Sequence, residues 1–410
     1  MRFGAIFDRL GRPVAIDYGQ PDTTPNVAFA YDLAGNRQSM QELGLNEAIL
    51  RTTSYRYDAL NRVVSVDLDP DASTLGDIKN YDPVGYAYDA GGLRTQMKFS
   101  GGLNVNYEYD IRGRLVQLTD WDDQASSFTY DKVSRQTQAV RPNGLVTDYA
   151  YDPVGNLLEV LHQEGATTKA QFMYQVDERG YRTQASERLM KPDASVNEQT
   201  IVYDYDALSR LTSTEYHAGF NTPTGALNQS FSYGYDPAGN MVLRNGVTRS
   251  YNAANQLIDD GTYSLAYDRN GNLTSDGVNS YGWDRANRLV SAPGNTSYVY
   301  DGVGNRIQQV VNGTKTDYLN DPIGLTQVIE STNDTTVERF LHGPMGIHAQ
   351  SKTGRGTPTL WGQAAWSSEP TWSQATWGQD SWGRSLWGGD TVGSTTWQYL
   401  LQDGLGSVRS

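Results

Sequence analysis

Residues 149 to 160, YAYDPVGNLLEV, alternate apolar and polar positions, break at a turn, and alternate again. Alternation with a period of two marks a half-buried strand, and two such runs around a short break predict a β-hairpin. Close copies begin at Phe7, Tyr31, Tyr55, Tyr86, Tyr107, Phe128, Tyr203, Tyr233, Leu265, Tyr281, Tyr298 and Tyr399, with weaker ones at 176–182 and 251–257. Residues two apart in a strand share a face, so the pairs Tyr55/Tyr57, Tyr107/Tyr109, Tyr149/Tyr151, Tyr203/Tyr205, Tyr233/Tyr235 and Tyr298/Tyr300 form an aromatic stripe. The residue between them points the other way and varies freely, being Arg56, Glu108, Ala150, Asp204 and Gly234 in different copies. That stripe reads first as packing between neighbouring hairpins.

The Asp after each pair opens a DxxG unit, as at Asp58, Asp110, Asp152, Asp206, Asp236, Asp268 and Asp301. Asp in first place suits a type I turn, and the fourth place then needs a left-handed residue, giving a hairpin with a glycine bulge. Gly113, Gly155, Gly239, Gly271 and Gly304 meet that need, and Asn61, Asn255 and Asn287 stand in for Gly elsewhere. Ser134 and Ser209 do not, so strain or a different turn is expected there. The motif Asp residues at 89, 110, 131 and 152 are 21 apart, whereas those at 268, 284 and 301 are 16 and 17 apart, which predicts a tighter meander late in the chain. An isolated hairpin is marginal in water, so the units must pair edge to edge. The expected fold is all-β, a long curved ribbon of hairpins. Its domains are a ribbon over 1–351, a Trp/Gly/Ser-rich insertion over 352–396, and a further segment over 397–410.

Composition sharpens this picture. The 27 Tyr and 42 Gly suit many short strands and tight turns better than long helices. Lys and Arg total 33 against 47 Asp and Glu, and the resulting −14 repels phosphate backbones, excluding nucleic acid as a partner class. With no Cys there is neither a disulfide framework nor a thiolate metal site. No apolar run is long enough to span a membrane, and the stretch before Asp8 is too short for a signal peptide. His162, His217, His342 and His348 are scattered, and no nucleophile elbow, phosphate loop or dinucleotide fingerprint appears, so neither catalysis nor a cofactor is expected.

Repeated in this way, the pattern YxYDxxGR resembles the YD repeats of RHS-family proteins, which include bacterial RHS toxins, the shell subunits of insecticidal toxin complexes, and teneurins. The resemblance runs from about residue 7 to 410, and RFLHGPMGIHAQ and YLLQDGLGSVRS look like the entry into the RHS-associated core. It implies a ribbon that spirals into a hollow shell around a cargo polypeptide, secreted or on a cell surface. Strand edges at either end of such a ribbon invite self-association. In RHS toxins a DPxGL segment accompanies autoproteolysis by aspartates. Asp321 to Leu325, DPIGL, carries the same letters, although it sits in repeat phase, before the core entry, where a plain turn is the simpler reading.

Three further features invite a ligand. Asp67, Asp69 and Asp71 have the spacing of the first calcium-loop ligands, but Ala72 and Ile78 stand where that loop needs Gly and Glu, which favours a solvated connection. The aromatic stripe could stack on glycans, making an adhesion or carbohydrate-binding module the alternative to a shell. Trp361, Trp366, Trp372, Trp377, Trp382 and Trp387 recur five or six residues apart, a spacing that keeps them on one face of neither a strand nor a helix. They form either an ordered coil or an exposed patch for a partner.

Overall fold

In the computed structural model the chain is described over residues 4–19, 24–70, 81–99, 102–191, 193–323 and 326–354, and in short strands at 387–392, 395–399, 401–402 and 408–409. Strands dominate, and among the described residues helical geometry is confined to brief 3-10 turns such as Leu45–Glu47. A sheet of 21 strands runs from Gly4–Phe7 to Val247–Thr248 and does not close on itself. Each strand pairs antiparallel with the next in sequence, as Asn104–Tyr109 does with Leu115–Thr119, and Leu145–Tyr151 with Leu157–Glu164. The ribbon is therefore one long meander.

After Val247–Thr248 the strands shorten to two or three residues, for example Ser250–Tyr251, Ala266–Tyr267 and Gly282–Trp283. This is the tight meander expected where the motif spacing contracts. A second sheet of 10 strands begins at Gly282–Trp283 and continues through Gly346–Gly354 to Thr395–Tyr399 and Trp387–Val392.

Each hairpin turns as the residue types require. Asp110 N donates to Arg114 O and Gly113 N donates to Asp110 O, with Gly113 at φ 76°. A register shift follows beside the turn, as between Ala150 and Tyr151 and between Arg56 and Tyr57, which is the expected bulge. Asn61, Asn255 and Asn287 take positive φ like the glycines. Ser134 and Ser209 use no other turn: they adopt φ 70° and 64°, and their amides donate to Asp131 O and Asp206 O. Because a side chain in this region costs about 1 kcal/mol, Ser134→Gly should stabilise the protein by roughly that amount, less the backbone freedom glycine adds to the unfolded chain. A urea midpoint that falls in this variant would show that the serine is not strained.

The core follows the stripe. Along Leu145–Tyr151 the side chains of Leu145, Thr147 and Tyr149 are buried on one face, while Ala150 is exposed on the other. The buried faces of the strands from Val66 to Ile201 form one apolar cluster, and Leu319, Ile329, Leu341 and Ala349 from the second sheet belong to the same cluster. The late strands thus lie against the aromatic face of the early ribbon, and the chain coils back over itself.

Candidate functional site

Many neighbouring motif turns are tied to one another along one rim. Asp110 Oδ1 accepts from the amides of Arg112 and Arg114 at 2.9 and 3.0 Å, and its Oδ2 accepts from Arg114 Nε at 2.6 Å. The Arg114 side chain and the backbone amides hold the Asp110 carboxyl below the usual carboxylate range. The same guanidinium reaches the next hairpin, where Nη1 donates to Asp131 O at 3.0 Å and Cζ lies 4.8 Å from the centre of the Tyr130 ring. Arg62, Arg135, Arg210 and Arg288 repeat this step onto Asp89, Asp152, Asp236 and Asp301.

The second aromatic of each pair completes the ladder. Tyr57, Tyr109, Tyr151, Tyr205, Tyr235 and Tyr300 donate their hydroxyls to Arg37 O, Arg94 O, Gln136 O, Arg182 O, Leu211 O and Leu289 O. Each acceptor belongs to the strand leaving the preceding motif turn. The first aromatic lies deeper: Tyr107 and Tyr149 are buried, Tyr55 and Tyr203 pack at the margin of the same cluster, and Tyr233 and Tyr298 are only half-buried. The residue four places after the turn Asp is the signal that the Asp and Gly rule leaves out: it is Arg at 12, 62, 114, 135, 210 and 288, and Asn at 36, 156, 240, 272 and 305.

Asp321 is buried, and its Oδ1 accepts from the Ile323 amide at 3.0 Å, as the motif aspartates accept from the residue two places on. Its Oδ1 accepts from Tyr86 Oη at 3.0 Å, and Arg94 Nη1 lies 2.5 Å from its Oδ2. Burial, with the Asp321 carboxylate beside it, pushes the Tyr86 hydroxyl far above its ordinary range and keeps it a donor. Leu325 lies outside the described residues, as do Asp71, Trp361, Trp366, Trp372, Trp377 and Trp382. Asp67 and Asp69 sit on the strand Val63–Pro70, paired with Ser54 and Thr52. Trp387 opens the strand Trp387–Val392. Among the described residues no group of three or more His, Asp or Glu could hold a metal ion.

One buried constellation has the outline of an activated nucleophile. Thr147 Oγ1 lies 2.8 Å from His162 Nδ1, and Arg141 Nη1 donates to the same hydroxyl at 2.6 Å. Thr147 and His162 are wholly buried, and His162 meets the Phe172 ring edge-on, so the hydroxyl is sealed from any substrate. Its chemistry is structural: Arg141 and His162 both hold the Thr147 hydroxyl inside an apolar face. Asp120 accepts from the amides of Asp122 and Gln124, but burial raises it to about 6. The folded chain therefore holds this proton more tightly than the unfolded chain, and stability is lost as pH rises from about 4 to 6. Asp120→Asn should stabilise by roughly 1 kcal/mol at pH 7 and by nothing below about pH 4. Thermal unfolding at the two pH values measures this, and an equal effect at both would exclude ionisation as the cause.

The family model described as Teneurin YD-shell matches residues 69–177 and 169–320, together more than half of the 410 residues. The chain belongs to the teneurin YD-shell family. None of the curated proteins matches it in sequence. Among solved structures it is similar to TcdB2-TccC3-Cdc42, with a TM-score of 0.56 and 14% identity over 85% of this chain and 19% of that one. The Photorhabdus luminescens Tc holotoxin pore also matches, with a TM-score of 0.48 and 15% identity over 85% of this chain and 20% of that one. The chain thus spans about one fifth of the chains it matches. The similarity to the first structure agrees with the open, coiled ribbon described above. The YD shell is a structural scaffold, and its repeated side chains build and join hairpins.

Proposed function

We propose that the chain is a non-enzymatic section of a hollow YD shell that encloses or presents another polypeptide, secreted or at a cell surface. The observation that carries this reading is the sidedness of the ribbon. Its aromatic face is turned inward and carries a second layer of the same chain, while the variable positions Glu108, Thr129, Ala150 and Asp204 are exposed on the outside. A wall with a constant inner face and a free outer face suits containment, because the outside can drift without disturbing the packing. A glycan-binding reading has less support, since Tyr107 and Tyr149 are buried and the second tyrosines spend their hydroxyls on backbone carbonyls.

Protease access tests the proposal. An unfolded reporter polypeptide fused after Ser410 should be cleaved about tenfold or more slowly than the free reporter, because cleavage then waits on opening of the wall. Equal rates would remove the enclosing role and leave a scaffold that presents its partner.

A further inference from the structure

The turns of this ribbon fall into two populations that differ in what their tips touch. In the late hairpins the tips are docked. Arg285 N donates to Thr24 Oγ1 at 3.0 Å and its guanidinium donates to Tyr18 O at 2.8 Å. Gly302 N donates to Glu42 Oε1 at 2.8 Å, and a Cβ on Gly302 would stand 2.7 Å from Val27 Cγ1. Ile323 packs on the main apolar cluster, and Gly343 lies against Phe128 and His348. Successive late turns therefore seat on the aromatic face of successive early hairpins.

In six of the early hairpins the tip carries a bare apolar side chain, more exposed than Val303 at 47% on a late turn. Leu33, Leu60, Ile111, Val133, Val154 and Leu208 are 109%, 67%, 104%, 71%, 86% and 71% exposed. Ile111, Val133 and Val154 stand on successive turns that Arg114 and Arg135 tie together, and Leu33 and Leu60 on turns joined by the 2.8 Å bond from Asn36 Nδ2 to Asn61 Oδ1. Exposed apolar groups clustered in this way mark an interaction surface. Among the described residues the matching receptor is also less buried. Buried apolar side chains of the described residues run up to Ile201 and resume at Leu319. Between them the stripe residues Tyr233, Leu265, Tyr281 and Tyr298 are only half-buried, whereas Tyr86, Tyr107, Phe128 and Tyr149 are buried under the second layer.

We propose that the bare turn rim of one chain docks on the less buried aromatic face, residues 227–300, of a second copy, repeating between molecules the tip-on-face contact the chain makes within itself. The two surfaces differ, so the contact is heterologous and joins copies head to tail, which gives a ring or an open filament. It uses turn tips on a sheet face, a different surface from the strand edges at the ends of the ribbon.

Sedimentation velocity on the chain, beside a variant carrying Leu33→Ser, Ile111→Ser and Val154→Ser, tests the proposal. These three side chains touch little of their own molecule, so circular dichroism should not change. The parent should associate as concentration rises, and the variant should associate at least about tenfold more weakly. A photo-crosslinking residue in place of Ile111 should attach to residues 227–300 of another copy. A chain that stays monomeric throughout, association unaltered by the triple substitution, or cross-links that map to strand edges would each overturn the inference.

Discussion

Arg51→Met should destabilise the protein by about 3–5 kcal/mol, the cost of leaving a buried charge without its partner. Arg51 and Glu42 form an ion pair with almost no exposed surface. Burial pushes the Glu42 carboxyl up and Arg51 pulls it back, so removing the guanidinium leaves the desolvation uncompensated. Glu42 also accepts the Gly302 amide, so its protonation in the variant would weaken the seat of that turn. The loss should therefore appear twice, as a lower urea midpoint and as faster hydrogen exchange at Gly302. A variant as stable as the parent would mean that Glu42 is not enclosed as described. The double variant Glu42→Gln with Arg51→Met should recover much of the loss, because it removes both buried charges and keeps an oxygen to accept the Gly302 amide.

Phe172→Ala should cost about as much, roughly 3–5 kcal/mol, through the cavity it opens. Phe172 is fully buried, pairs across the ladder with Val160, and packs edge-on to His162. Tyr233→Ala removes a ring of comparable size from the same motif face but from a less buried hairpin, and should cost about 1 kcal/mol. Denaturant titration of the two variants compares a covered hairpin with an open one. Equal losses would contradict the placement of the second layer over the early hairpins alone.

The hairpins were legible in the sequence because their determinants are local. Asp110 caps its own turn, Gly113 supplies its own positive φ, and the alternation around Tyr107 and Tyr109 sets which face is buried. Ser134 shows the limit of that rule: the ladder bonds through Arg114 and Arg135 hold the turn on either side, and they impose the conformation on a residue that does not favour it. What could not be read was contact between distant parts of the chain. Nothing near Asp321 announces Arg94 or Tyr86, which are more than two hundred residues away, so its letters suggested a chemical motif or a plain turn. For the same reason the pairing of Glu42 with Gly302, and the burial of Leu319 and Ile329 under the early stripe, left no mark in the local pattern.

The late turns seat on the aromatic face of the early ribbon, and because the chain contains no cysteine, that contact can be probed with an engineered pair. Val27→Cys with Gly302→Cys joins positions 27 and 302 across that contact, where a Cβ on residue 302 would lie within 2.7 Å of the Val27 side chain. Under mild oxidation this pair should form an intramolecular disulfide in nearly every molecule, seen by mass spectrometry of the non-reduced protein. A control pairing Val27→Cys with Gly239→Cys should form none. Free thiols at 27 and 302 in the folded, oxidised protein would contradict the coiled ribbon and the enclosed face that rests on it.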